Sequence, residues 1–151
     1  MNAAAAGNVA VCLMHKQGNP QTMQLQPHYQ DVVAELSAFL RERIAAAQAA
    51  GIARERIVID PGFGFGKTLA HNLNLLRHLD KLRELGVPVL AGLSRKSMLG
   101  ALTGREVGDR VAASVAAALI AVQRGASIVR VHDVRETVDA LKIWNAISER
   151  E

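Results

Sequence analysis

Aromatic side chains are scarce in this 151-residue sequence: three Phe, one Tyr and one Trp, 3% of the chain. That is too few for the stacking platforms on which single-stranded nucleic acid rests. Cysteine is scarcer still. The single Cys12 excludes an internal disulfide framework and fits a reducing compartment, and its setting in VAVCLM reads as a small core residue. No one sign of charge dominates: 18 Lys and Arg against 14 Asp and Glu leave a formal +4, spread along the chain. This favours anionic partners mildly and does not imply nucleic acid. No apolar run is long enough to cross a membrane; the richest, RVAASVAAALIAVQRG, is short and bounded by Arg110 and Arg124. The opening MNAAAAGNVA lacks the basic start of a signal peptide and runs toward a strand. These absences together predict a cytoplasmic protein with neither membrane nor nucleic-acid partners. No His, Cys and carboxylate cluster has metal-ligand spacing, and no Ser-His-Asp signature stands out.

What is present is a chain half apolar and 21% charged, the profile of one globular domain over residues 1–151 with a sizeable core. A short apolar run, a Gly/Pro/Asn-containing loop and a longer amphipathic segment recur four times. The runs are VAVCLMH (about 9–15), RIVID (56–60), VPVLAGLSRK (87–96) and SIVRVHD (127–133); the helical segments lie near 30–50, 71–85, 108–124 and 134–149. Gly51, Gly86 (followed by Pro88) and Gly125 sit where helix C-caps precede strands, and Asp133 with Glu136 offers a capping box for the last helix. Alternating βα units with near-continuous apolar strands predict an α/β fold, a parallel sheet with helices outside. Length favours a doubly wound sheet, since a (β/α)8 barrel normally takes about 250 residues. The polar residues favour the barrel, whose catalytic face gathers reactive side chains from the C-terminal ends of several strands. His15 closes the first run, Asp60 the second, Ser94, Arg95 and Lys96 the third, and Arg130 and His132 share one side of the fourth.

The stretch DPGFGFGKT resembles a phosphate loop but fails as one. Counting back from Gly66 and Lys67, the first required glycine is Pro61, which has no N–H, and Phe63 and Phe65 are bulky where a phosphate needs close amides. The glycines read instead as a turn leaving a strand. Asp60 carries more interest, because a carboxylate at the end of a buried strand needs N–H donors to pair with, although Asp is also a common loop cap. Lys96, in GLSRKS, is a candidate anion or carbonyl clamp at a helix start, where the dipole disfavours a merely structural cation. Arg130, inside an apolar strand with His132 two residues on, suits a diphosphate or similar anion. His15 is the ordinary strand-end histidine with a structural role, and His28, His71 and His78 read as surface residues.

Taken together, VCLMHKQGNPQTMQ, DPGFGFGKT, GLSRKSMLG and IVRVHDVRETVDALKIW closely resemble dihydropteroate synthase, in family order and over nearly the whole chain. The resemblance implies a (β/α)8 TIM barrel of which this chain is the second half, strands five to eight. It implies the joining of p-aminobenzoate to a dihydropterin methyl diphosphate, with loss of pyrophosphate. By position, Asp60 corresponds to the carboxylate that pairs with the pterin and Met14 to a residue packed against it. Lys96 corresponds to the cation between the pterin and the p-aminobenzoate pocket, with Phe65 and Ser94 lining that pocket, which sulfonamides also occupy. Arg130, Val131 and His132 correspond to the diphosphate-binding stretch, and Lys96, Arg130 and His132 to the catalytic set, in which Arg130 and His132 act by electrostatic stabilisation of the leaving group. The family uses Mg2+, whose Asn ligand is absent here, and no tightly bound organic cofactor. With the first half-barrel missing, the isolated chain is expected to be inactive or strongly impaired. It is also expected to self-associate, as in a homodimer, or to join the missing half, because an open half-barrel exposes sheet edges and its apolar interior. Two rivals are a pterin-binding methyltransferase domain acting on a corrinoid partner and a non-catalytic half-barrel whose strand-end residues are idle.

Overall fold

The structure, a computed structural model, describes residues 2–18 and 27–148. The end of the VCLMHKQGNPQTMQ stretch and the last residue of the expected 134–149 helix fall outside these residues. Strand β1 (Val11–Met14) pairs in parallel with β2 (Ile57–Asp60), so that Met14 lies beside Asp60. A bridge from Ile59 to Val89, with Ile59 N–H donating to the Pro88 carbonyl at 3.0 Å, carries the order on to β3 (Leu90–Ala91), which pairs in parallel with β4 (Ile128–Val129). The strands therefore run in sequential order without a reversal. A doubly wound sheet changes direction at a switch point; among the described residues no such point occurs.

Side chains alternate across these strands. Ile57, Ile59, Val89 and Ala91 point to the helical layer and are buried, whereas Cys12, Met14, Val58, Asp60, Leu90 and Ile128 share the other face. That second face is open: Met14 is 39% and Ile128 41% exposed. Cys12 belongs to it and is exposed, so the expectation of a core cysteine is corrected. Its neighbours Val11 and Leu13 pack against the core instead.

Helix α2 (Val32–Ala49) buries Val32, Leu36, Leu40, Ile44 and Ala47, a stripe with the helical period. Asp31 caps it, its carboxylate accepting from Val33 and Ala34 N–H, while Glu35 accepts from Gln30 and Asp31 N–H. Helix α3 (Leu69–Arg77) starts at Thr68, which forms a capping box with His71. The expected helix over 71–85 breaks at His78 into a 3-10 segment, Leu79–Leu85. Leu79, Leu82 and Leu85 are all buried there, and their spacing of three suits a three-residue turn better than an α-helical one. The third strand is shorter than 87–96, because a turn at Ser94 and Arg95 leads into helix α4 (Ser97–Thr103). Helices α5 (Val111–Gln123) and α6 (Val134–Ser148) lie where expected and pack on each other. The N-terminal helix α1 (Asn2–Ala6) was not expected. Its alanines are the best helix formers, and the Arg56 guanidinium secures it by donating to the carbonyls of Ala4, Gly7 and Val9. Gly51, Gly86 and Gly125 all hold the left-handed conformation of the expected caps. None of the described helices is long and apolar enough to cross a membrane.

Candidate functional site

The C-terminal strand ends bring together the residues singled out from sequence. Asp60 ends β2 and is buried at 6% exposure, with one oxygen accepting from Gly62 N–H at 2.7 Å. Burial raises its pKa; the Gly62 amide and the nearby cations Lys96, Arg130 and Lys67 oppose the rise. The carboxylate sits in a positive field without a salt bridge: among the described residues the ion pairs are Arg95–Asp133 and Lys142–Asp139. Such a group retains acceptor capacity for a ligand that offers N–H donors.

Lys96 donates from Nζ to the Phe63 carbonyl and stands 4.5 Å from the centre of the Phe65 ring, within cation–π range. Burial draws its pKa down to about 8, with Asp60 opposing and Arg130 adding to the fall. A pocket of about 190 Å3 beside it is lined by Gly92, Ser94, Lys96, Arg130, Val131 and His132. The Arg130 guanidinium lies over Gly92, where a Cβ would meet Nη2 at 3.3 Å. Arg130 and His132 are exposed, so both are open to a ligand. Ser94 is buried; its hydroxyl accepts from His132 N–H at 3.1 Å and lies 3.0 Å from His132 Nδ1. A Ser94 hydroxyl that donates to Nδ1 would leave the ring proton on Nε2 and make that nitrogen a donor. A larger concavity, about 340 Å3, lies on the helical layer among Asp31, Arg41, His78 and Lys81, and no strand-end residue lines it. Ser94, Lys96, Arg130 and His132 line the smaller pocket, and Asp60 is near enough to feel the charges of Lys96 and Arg130.

The turn that delivers Ser94 and Lys96 is braced from outside. Arg95 adopts a positive φ of 57°. Its N–H donates to the Ser114 hydroxyl at 2.9 Å, its carbonyl accepts from Arg110, and its guanidinium makes two bonds to the Asp133 carboxylate. The expected Asp133 capping box is therefore corrected: the Asp133 carbonyl accepts from Thr137 N–H at the start of α6, but its carboxylate is engaged by Arg95. That pairing holds the Asp133 pKa down.

Met14, on the open face beside Asp60, and Phe65, beneath Lys96, reach the same end of the sheet. Sequence reading missed Lys67, buried at 3% exposure, with Nζ bonded to the Gly62 and Phe65 carbonyls and to His15 Nδ1. Its only sequence signal is a lysine directly after the glycines, in a stretch that fails as a phosphate loop. His15 is buried, edge-on to Phe39 at 4.9 Å, in the structural role expected of it. His28 is exposed as expected, whereas His71 and His78 are half-buried, since His71 packs on Tyr29 and His78 bonds to the Asn74 carbonyl.

Burial, followed by the Lys67 charge, lowers the His15 pKa from 6.5 to about 4. The unfolded chain then binds the extra proton first, so stability rises with pH through this interval and falls as pH drops from about 6.5 to about 4. Urea midpoints measured across this window should follow that slope, and His15→Phe should flatten it; an unchanged slope in the variant would assign the effect elsewhere.

No cluster of three His, Cys, Asp or Glu side chains able to hold a metal occurs among the described residues. Asp60 stands among cations. The residues present do not fit a Mg2+ site.

Comparison with known proteins supplies a family context. A profile for pterin binding enzymes matches residues 1–132. The chain is 57% identical over 146 residues to the dihydropteroate synthase of Neisseria meningitidis serogroup C, covering 95% of this chain and 52% of that protein. A Stenotrophomonas maltophilia dihydropteroate synthase structure with active site-bound imidazole superposes with a TM-score of 0.96 at 62% identity, over 99% of this chain and 57% of that one. A Xanthomonas albilineans dihydropteroate synthase in complex with 7,8-dihydropteroate gives 0.92 at 57% identity, over 99% and 55%. The chain thus spans about half the length of the relatives it matches.

Proposed function

The chain belongs to the pterin-binding enzyme family, and on that premise we propose that it supplies strands five to eight of a dihydropteroate synthase barrel and the anion-binding side of its site. The carrying observation is the convergence of Asp60, Lys96, Arg130 and His132 at the ends of three successive parallel strands. In this reading the Asp60 carboxylate accepts from the N–H groups of a pterin that rests on Met14, and p-aminobenzoate lies near Phe65, Lys96 and Ser94. Arg130, His132 Nε2 and the Val131 backbone hold the diphosphate. The aryl amine attacks the methylene carbon, the C–O bond to diphosphate breaks, and the amine proton passes to solvent. Arg130 and His132 aid the step by stabilising charge that grows on the leaving oxygens. Lys96 stays largely cationic near neutral pH and contributes to the same field.

Covering the open face is part of this reading. Exposed Met14 and Ile128, and the outer edges of β1 and β4, support association with a first-half barrel or a second copy. The isolated chain is expected to turn over little. The reading carries with it residence in the cytoplasm, consistent with a single free cysteine. Adding a polypeptide with the first four βα units should restore p-aminobenzoate-dependent pyrophosphate release. A stable complex without turnover would favour an idle scaffold and defeat the proposal.

A further inference from the structure

Lys67 is the buried cation that the strand-end chemistry does not use. It is 3% exposed and has no ion-pair partner among the described residues. Burying an ammonium is costly unless its donors are satisfied, and here all three N–H bonds have acceptors: the Gly62 carbonyl at 2.9 Å, the Phe65 carbonyl at 3.1 Å and His15 Nδ1 at 3.1 Å. Two acceptors belong to the loop after β2 and the third to the residue that closes β1, so one ammonium ties two strand ends together. Other side chains hold the same loop. Lys96 takes the Phe63 carbonyl, the Tyr29 hydroxyl donates to the Gly66 carbonyl at 3.0 Å, and Asn72 accepts from Gly64 N–H at 2.8 Å. The loop in turn presents the two groups a ligand would meet, the Phe65 ring under Lys96 and the Gly62 amide on Asp60.

We propose that Lys67 is a positioning residue for the aromatic half of the site: seated on Gly62, Phe65 and His15, it sets the loop shape that aligns Phe65 and Asp60, without touching the ligand. The proposal rests on the pterin reading above. It separates the site into two parts, because Ser94, Arg130 and His132 stand on the ends of β3 and β4 and make no bond to this loop among the described residues. A residue that merely stabilised the fold would weaken both parts alike.

Calorimetric titration of the chain with 7,8-dihydropteroate and, separately, with pyrophosphate tests this. Lys67→Met should weaken 7,8-dihydropteroate by about tenfold, the scale of one lost charged hydrogen bond, and leave pyrophosphate within about twofold. His15→Phe removes one of the three acceptors without altering the loop sequence, and should act in the same direction less strongly; it serves if Lys67→Met does not fold. Equal weakening of both ligands, or of neither, overturns the proposal. If the unsubstituted chain binds neither ligand, the half site does not hold them alone, and amide exchange decides the role of Lys67. The substitution should then speed exchange at Gly62 and Phe65 N–H and spare Arg130 and His132 N–H, and uniform or absent change would refute it.

Discussion

Gly62→Ala should lower the unfolding free energy by roughly 2–5 kcal/mol, combining about 1–2 kcal/mol for a left-handed non-glycine residue with about 1–3 kcal/mol for overpacking. Gly62 has φ +67°, and a Cβ built there would lie 1.8 Å from the His15 carbonyl oxygen and 3.0 Å from its carbon. That obstacle is backbone at the end of β1, next to the bond in which His15 N–H donates to the Asp60 carbonyl at 3.0 Å, so it cannot swing aside as a side chain would. Either the loop withdraws, releasing Lys67 and the Asp60 carboxylate, or β1 separates from β2. Urea denaturation checks the size of the loss. Gly108, where an added Cβ meets nothing within 4 Å, provides the comparison: Gly108→Ala should change stability little. Equal effects at the two glycines would show that the close approach of β1 and the loop has no energetic weight.

Arg130→Met should weaken pyrophosphate binding by roughly 30-fold, since a charge-assisted hydrogen bond to a charged group contributes about 1.5–3 kcal/mol. Methionine keeps much of the apolar stem and removes the fork of donors, so the loss reads recognition rather than packing. The guanidinium rests over Gly92, beside Lys96 and His132, and contributes to the field that opposes the rise in the Asp60 pKa. Titration at two ionic strengths should show the variant with the shallower salt dependence. Lys142, whose side chain is 74% exposed on α6, is the matched control, and its replacement by methionine should leave the affinity unchanged. Wild-type affinity in Arg130→Met would place the anion elsewhere and remove the basis for assigning leaving-group stabilisation to this strand end.

The residues at the strand ends were legible because chemistry-bearing side chains interrupt apolar runs. Asp60 after an isoleucine-rich strand and Arg130 within another stand out against a composition that otherwise alternates core and surface. Lys67 had no such contrast. Its burial depends on His15, 52 positions earlier, arriving across the β1–β2 pair, and no local pattern records that meeting. Asp133 and Glu136 had the spacing of a capping box, yet Arg95, 38 positions away, makes a two-bond pairing with the same carboxylate. The cysteine misled for a related reason: VAVCLM shows an apolar strand but not which of its faces the helices will cover.

The sequence by itself determined the four βα repeats, the glycine caps between helices and strands, and the polar residues at the strand ends, because each follows from local periodicity, backbone freedom or the cost of a charge in an apolar run. Only the tertiary structure decided the sequential order of the strands, which face stays open, and which cations line the strand-end pocket while Lys67 stays within the loop. Those outcomes depend on groups far apart in the chain competing for the same carbonyls and carboxylates, and that competition takes place only once the strands lie side by side.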